Sequence, residues 1–122
     1  MLSLIISDYS IKKQAFNKNQ PKVDDTLIIK IKNCLASRNF IPLPLKNIKN
    51  LYKAYIDGKH YRLVVQEIQE NSFLLIFFRT KNERHSKNIS KHKNDSFDKI
   101  MSNYDKVWKD FENKRVKILT FK

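Results

Sequence analysis

The chain has 122 residues, of which 41% are hydrophobic and 11% aromatic, enough for the core of a single domain over residues 1–122. Gly58 is the one glycine, which excludes a glycine-rich phosphate-binding loop and a dinucleotide-binding fingerprint. The 25 Lys and Arg residues outnumber the 12 Asp and Glu residues and give a net charge of +13. A domain this basic is typical of proteins that bind a polyanion such as nucleic acid.

The cysteine content and the lack of a long apolar run indicate the compartment. Cys34 alone cannot form a disulfide framework or a cysteine-based zinc site, and we expect it to be a small buried apolar residue. No apolar run has the length of a membrane span, and Met1 to Ile6 lacks the basic start and the length of a signal peptide. We therefore expect a soluble, cytoplasmic protein that is not bound to a membrane.

The N-terminal part of the chain predicts a strand followed by a helix. Leu2 to Tyr9 is apolar and contains β-branched residues, which is typical of a strand. Pro21 suits the first turn of a helix, and Arg38 with Asn39 suits its end, because asparagine tolerates the left-handed conformation. An apolar residue recurs at every fourth position between them, at Val23, Leu27, Ile31 and Leu35.

The middle of the chain predicts a connection and then three antiparallel strands. Ile41 to Leu45 carries two prolines and predicts an ordered connection rather than a strand. Asp57-Gly58 and Glu70-Asn71 are turn signals, and they divide the next segment into strands over residues 51–56, 60–69 and 72–80. The run Phe73 to Phe78 is apolar on both faces, so we expect the third strand to be central in the sheet.

The C-terminal part predicts a second helix and a closing strand. Asp95 and Asp98 suit the start of a helix, and Arg115 to Phe121 alternates as a strand does. These elements predict an α+β fold, with a small twisted, mainly antiparallel sheet on which an N-terminal and a C-terminal helix pack. An aromatic-rich stripe on the second helix forms either core or a groove for a partner helix, and we favour core: Phe97, Met101, Tyr104, Trp108 and Phe111.

Four short motifs follow one another between Leu51 and Ser90: Tyr52-Lys53, Tyr61-Arg62, the acidic turn Glu70-Asn71, and Lys81-Asn82-Glu83-Arg84. In their order and spacing they resemble the RelE/ParE superfamily of bacterial toxins, in particular the RelE-like mRNA interferase branch and its phage-type relatives. The resemblance implies a RelE-like fold and the toxin component of a type II toxin–antitoxin system. Such a toxin is a metal-independent endoribonuclease that cleaves mRNA at the ribosome, inhibits translation and arrests growth.

The resemblance also implies partners and site residues. The partners would be RNA with the ribosome and a cognate antitoxin encoded nearby, with which the toxin forms a hetero-oligomer. Arg62 matches an arginine that contacts the scissile phosphate, Lys53 matches one strand lysine, and a second lysine, a proposed general base, is replaced by Tyr55. The family's arginine after the third strand is replaced by Asn82, with Arg84 two residues on, and a late tyrosine falls near Asn88.

Cleavage of RNA by its 2′-hydroxyl needs a base, a cation at the phosphorane and an acid, and it needs no metal or other cofactor. Histidines titrate near neutral pH, so His60 and His85 are candidates for the missing acid or base. The predicted catalytic residues are Arg62, Lys53, His60, His85, Arg84 and Tyr55. The predicted RNA-binding residues are Lys81, Arg84, Lys87, Lys91 and Lys93.

Other interpretations of these residues stay open at the level of sequence. Arg62 is alternatively a structural cation that pairs with Glu67 or with a carboxylate elsewhere in the chain. His60 is alternatively a solvent-exposed residue after a turn. Tyr55 and Tyr61 are alternatively aromatic residues that pack the strands. The incomplete catalytic set favours a non-catalytic ParE-like toxin that inhibits DNA gyrase, and a basic nucleic-acid-binding protein on the same fold is a third possibility.

Overall fold

The computed structural model describes residues 1–11, 25–45, 47–56, 61–80 and 102–121. These residues form one six-stranded, mostly antiparallel sheet and three helices, which confirms the mixed class that the sequence predicts. No helix within the described ranges is both long and apolar enough to cross a membrane. The elements in chain order are β1 (Leu2–Ser7), α1 (Asp8–Ser10), α2 (Asp25–Ser37), β2 (Ile41–Pro42), β3 (Leu51–Ile56), β4 (Tyr61–Gln69), β5 (Ser72–Thr80), α3 (described over residues 102–112) and β6 (Val116–Phe121).

The strands lie in the order β2-β3-β4-β5-β1-β6. Strands β3, β4 and β5 form an antiparallel meander, as predicted, and the turn between β4 and β5 is at Glu70 and Asn71. Strand β1 pairs parallel with β5, and β6 pairs antiparallel with β1. Every residue from Phe73 to Phe78 is buried, because β5 is an interior strand with a helix on each side, which confirms its predicted central position.

Alternation along the strands creates two apolar layers, one on each face of the sheet. On the α2 face, Leu63 and Val65 of β4 pack with Ile31 and Leu35 of the helix. On the α3 face, Val64 packs in a cluster that contains the fully buried Val107 of α3. Tyr104, Trp108 and Phe111 of α3 are partly buried against that cluster, as expected for a helix that covers the sheet.

A bulge in β5 adjusts this alternation. Val64 pairs with Phe77 and Val65 with Leu75, so Ile76 is an extra residue in β5. Ile76 and Phe77 both pack on the α3 face as a result, and Phe78 packs on the α2 face. The α3 layer therefore receives two large side chains in succession from one strand.

Helix α2 ends one residue earlier than the sequence suggests. Arg38, not Asn39, takes the left-handed conformation, with φ 55°. The N–H of Arg38 donates to Leu35 O and the N–H of Asn39 to Cys34 O, the pair of bonds of a Schellman motif. The predicted start of this helix at Pro21 lies outside the described residues. Cys34 is buried as expected, and burial raises the pKa of its thiol.

The prediction of a connection at Ile41 to Leu45 is wrong for its first two residues. Ile41 and Pro42 form β2, pairing with Lys53 and Tyr52. Proline is tolerated there because β2 is an edge strand, where a missing N–H on the outer side costs no sheet hydrogen bond. The closing strand is confirmed over Val116–Phe121, and it lies beside β1.

Candidate nucleic-acid interface

The pairing of β3 with β4 gathers three of the predicted site residues on one face of the sheet. Tyr55 stands directly opposite Arg62 in this register, so the two side chains leave the sheet on the same side. Lys53 lies two residues before Tyr55 in β3 and therefore shares its face. This is the α3 face, because Lys53 is paired with Val64 of the α3 layer.

The ring of Tyr55 lies near the cationic groups of both Lys53 and Arg62. The Nζ of Lys53 lies 5.6 Å from the centroid of the Tyr55 ring, and the Cζ of Arg62 lies 5.9 Å from the same centroid. Both distances are within the range of a cation–π interaction, which at such an exposed site is worth about 0.5–1 kcal/mol. We name Lys53, Tyr55 and Arg62 the basic triad.

The basic triad is accessible although it shares a face with α3. Tyr55 is 36% exposed, and Lys53 and Arg62 are half-buried. Trp108 of α3 donates a hydrogen bond to Gln66 at 2.9 Å, and Gln66 lies four residues from Arg62 along β4. Four residues of strand span about 13 Å. The contact of Trp108 with β4 therefore lies some distance along the strand from the triad, where the Tyr55 side chain is exposed.

The chemistry of the basic triad suits a nucleic-acid strand. A guanidinium binds two phosphate oxygens at once, whereas an ammonium acts as a point charge. The phenol of Tyr55 is a hydrogen-bond donor and acceptor, and aromatic rings are groups on which bases stack when the ring face is open. The triad therefore combines two cations and an aromatic ring on neighbouring strands of the sheet.

Glu67, one of the carboxylates with which Arg62 could pair, bonds to a different cation. Arg62 and Glu67 lie five apart in β4 and point to opposite faces, and Glu67 accepts a hydrogen bond from Nη2 of Arg38 at 2.6 Å. Glu67 also accepts a hydrogen bond from the N–H of Asn71 at 2.9 Å. The hydrogen bond from Arg38 lowers the pKa of Glu67, and the same pair raises the pKa of Arg38.

The two strand tyrosines have different surroundings. Tyr61 stacks on Phe78, with the ring centroids 5.6 Å apart and the planes at 19°, and it packs against the α2 layer. Its interpretation as a packing residue is therefore confirmed. Tyr55 is one of the more exposed large side chains among the described residues, and Lys53 and Arg62 lie near its ring.

Several predicted site residues lie outside the described residues, and for these the roles stay predictions. They are His60, Lys81, Arg84, His85, Lys87, Lys91 and Lys93, and with them the helix positions Phe97 and Met101.

The register also identifies a cation that the sequence analysis did not single out. Arg79 of β5 stands opposite Arg62 of β4. The sequence contains the information for this pairing, because a hairpin with a two-residue turn at Glu70 and Asn71 pairs residue 62 with residue 79. The two register shifts in this ladder compensate each other, so the pairing that the turn dictates is restored at Arg62.

Comparisons with known proteins add no relative: no family model, no curated protein and no solved structure matches this chain.

Proposed function

We propose that this chain is an RNA-cleaving toxin of a type II toxin–antitoxin system, of the RelE/ParE kind, that acts on mRNA at the ribosome. The observation that carries the proposal is the basic triad, in which two cations lie near the ring of Tyr55 on one face of the sheet. The net charge of +13 supports it, because phosphate contacts supply most of the sequence-independent affinity for RNA. The motifs between Leu51 and Ser90 supply the resemblance to the family.

In the proposed reaction, the 2′-oxygen of one nucleotide attacks the neighbouring phosphorus and the bond to the 5′-oxygen breaks. A base takes the 2′ proton, an acid protonates the leaving 5′-oxygen, and the products are a 2′,3′-cyclic phosphate and a 5′-hydroxyl. Arg62 binds two non-bridging oxygens and stabilises the charge of the phosphorane, and Lys53 adds a second positive charge. The hydroxyl of Tyr55, or the imidazole of His60 or His85, transfers a proton.

The test is cleavage of mRNA on programmed ribosomes by the purified protein, with each variant checked for folding by circular dichroism. We expect Arg62→Ala to lower the rate by about 10²–10³-fold, as the loss of a charge-stabilising group does. Lys53→Ala should have a smaller effect because an ammonium lacks the bidentate geometry. Tyr55→Phe separates the roles of the ring and the hydroxyl, since it keeps the stacking surface and removes the proton donor.

The matched control is Lys109→Ala, which removes an exposed lysine from α3. This variant should cleave mRNA at the rate of the unmodified protein. Full cleavage by the double variant Lys53→Ala, Arg62→Ala would contradict the proposal. Cell elongation with DNA damage on induction, in place of translation arrest with fragmented mRNA, would indicate a gyrase inhibitor of the ParE kind.

A second candidate is a nucleic-acid-binding protein that does not cleave its ligand. It is favoured by the composition of the basic triad, which offers two cations and an aromatic ring, the groups of a binding surface. A binding measurement beside the cleavage assay distinguishes the two candidates. Binding of single-stranded RNA that is weakened by Arg62→Ala, without any cleavage by the unmodified protein, would support binding alone.

A further inference from the structure

Strand β6 forms one edge of the sheet. It is the last strand in the sheet order, so within the described part of the chain no strand pairs with its outer side. Its residues pair one to one with β1 from Leu2↔Phe121 to Ser7↔Val116, without a register shift. A regular edge strand that contains neither a proline nor a bulge is a template for pairing with another strand.

Two backbone hydrogen bonds fix which residues of β6 direct their N–H and C=O groups outwards. The N–H of Ser3 donates to Asn71 O on the β5 side of β1, at 2.9 Å, and the N–H of Asp8 donates to Arg115 O on the β6 side, at 3.0 Å. Because these groups alternate in direction along a strand, the odd-numbered residues of β6 bond to β1. The even-numbered residues, Val116, Ile118 and Thr120, therefore point their backbone groups away from β1.

The middle residue of this edge is an exposed apolar side chain. Ile118 is 57% exposed, although Ile5, its cross-strand partner in β1, is only 5% exposed. Among the described residues, only Met1 is a large apolar side chain with greater exposure. An outward backbone edge and an exposed apolar side chain thus occur at the same residue.

We propose that β6 pairs antiparallel with β6 of a second copy of this chain, around a two-fold axis at Ile118. In this register Ile118 faces Ile118 of the partner subunit, and Val116 faces Thr120 of the partner subunit. All the outward N–H and C=O groups of the three even-numbered residues then have partners in the other copy. A register shifted by two residues leaves some of these groups at the ends without partners.

The side chains are compatible with this register on both faces. One face carries a row of β-branched residues, which make favourable cross-strand pairs. On the other face Lys117 stands opposite Leu119 of the partner subunit, so no cation faces a cation directly. Lys117 is the one cationic residue within β6, so an acidic strand from another protein would gain little charge complementarity there. The self-complementary pattern therefore favours a second copy.

The dimer should be weak, and salt should strengthen it. Pairing of two edge strands buries less surface than a standard protein–protein interface does. We therefore expect a dissociation constant in the micromolar range or higher. Each copy carries a net charge of +13, and screening reduces the repulsion between the copies. This dependence is opposite to that of RNA binding, which salt weakens. The proposal rests on the β6 edge alone and is independent of the proposed function.

The first test measures mass by sedimentation over a concentration series, at low salt and at about 0.5 M salt, where charges are largely screened. We expect the mass to rise with concentration and with salt. Ile118→Lys should raise the dissociation constant by about tenfold or more, because two ammonium groups then face each other at the axis. Ile41→Lys is the matched control, since Ile41 is 52% exposed in β2 at the opposite edge, and it should leave the dimer unchanged.

The second test measures the register through a disulfide, with oxidised glutathione as the oxidant that is reduced as the bond forms. Directly opposite residues of a hydrogen-bonded pair have Cα atoms about 5.5 Å apart, within the range of a disulfide. Ile118→Cys should therefore give covalent dimers. Thr120→Cys and the unmodified protein, in which Cys34 is buried, should not.

Two results would overturn the proposal. One is a chain that stays monomeric at high salt and high concentration, which would leave the edge to a strand of another protein. The other is equal cross-linking by Thr120→Cys and Ile118→Cys, which would contradict the axis at Ile118. Binding of single-stranded RNA by Ile118→Lys is measured in parallel, so that a failure of this proposal is distinguished from a failure of the proposed function.

Discussion

Trp108 of α3 donates its indole N–H to Oε1 of Gln66 in β4 at 2.9 Å. The amide of Gln66 in turn donates to Lys49 O at 3.0 Å, so its oxygen and its nitrogen both have partners. These bonds hold α3 on the face of the sheet that also carries the basic triad. Trp108 is also the one tryptophan of the chain, so its fluorescence reports on the docking of α3.

Replacing Gln66 by methionine should loosen this contact. Gln66→Met keeps the length of the side chain but leaves the partly buried indole N–H without its acceptor, which costs about 1–3 kcal/mol of unfolding free energy. Urea unfolding followed by Trp108 fluorescence measures the loss. Gln69→Met, at the exposed end of the same strand, is the matched control and should change the unfolding free energy by less than about 0.5 kcal/mol. Equal effects of the two substitutions would contradict the role of the hydrogen bond.

The pair of Arg38 and Glu67 should make stability depend on acid pH. The pKa of Glu67 is lowered in the folded state, so its contribution to stability is fully present above the ordinary pKa of about 4.3 and is lost as the pH falls through the lowered value. We expect the pair of Arg38 and Glu67 to contribute about 1 kcal/mol to the unfolding free energy, because the Arg38 side chain is 46% exposed and water screens the pair.

Urea unfolding of Glu67→Gln and of the unmodified protein, each over pH 2–7, tests this expectation. The difference in unfolding free energy between Glu67→Gln and the unmodified protein should be largest near neutral pH and should become smaller in acid. Glu70→Gln, three residues further and exposed, should show no such difference. A constant difference across the whole pH range would show that the charge of Glu67 is not its cause.

Asp110 should be the most sensitive charged residue of α3. It is 8% exposed and accepts hydrogen bonds from the N–H of Tyr9 at 2.8 Å and from Nε of Arg115 at 3.0 Å. Asp110→Ala leaves both donors without an acceptor, and we expect a loss of about 2–4 kcal/mol in unfolding free energy. Asp105→Ala, on the exposed side of the same helix, should cost less than about 0.5 kcal/mol. Similar losses in the two variants would refute this account.

The basic triad should also be visible in the salt dependence of RNA binding. If Arg62 neutralises one phosphate, Arg62→Ala should reduce the slope of log K against log salt by about 0.7 for single-stranded RNA. Filter binding at several salt concentrations measures this slope. Lys109→Ala should leave the slope unchanged, and an unchanged slope in Arg62→Ala would remove this residue from the phosphate contacts.

Local patterns were sufficient to predict most of the fold. The turn at Glu70 and Asn71 and the apolar run Phe73 to Phe78 predicted a hairpin whose second strand is interior, and both features are local. The position of β1 was not predictable in this way, because the pairing Leu4↔Phe73 joins residues far apart in sequence. The bulge at Ile76 was missed because an all-apolar run contains no alternation from which a shift could be noticed.

The candidate site was predictable only in part. Period-two alternation put Lys53 with Tyr55 on one face, but whether Arg62 shares that face depends on the register of β3 with β4, which the turn between them sets. The ion pair of Glu67 was missed because its partner Arg38 comes from the end of α2, on the opposite face from Arg62. Intrinsic preference favours Asn39 for the left-handed position, whereas Arg38 takes it and pairs its side chain with Glu67.

The order of the strands has a consequence for synthesis on the ribosome. Strand β1 is made first, yet its two neighbours in the sheet, β5 and β6, are made much later. The meander of β3, β4 and β5 pairs consecutive strands and closes short loops, so we expect it to form while the chain is still growing. The basic triad lies on β3 and β4 of that meander. Strand β1 has no strand partner until β5 has been synthesised, and its second edge is paired only after β6 has been synthesised. The N-terminal strand is therefore the part of the nascent chain most in need of protection from premature association.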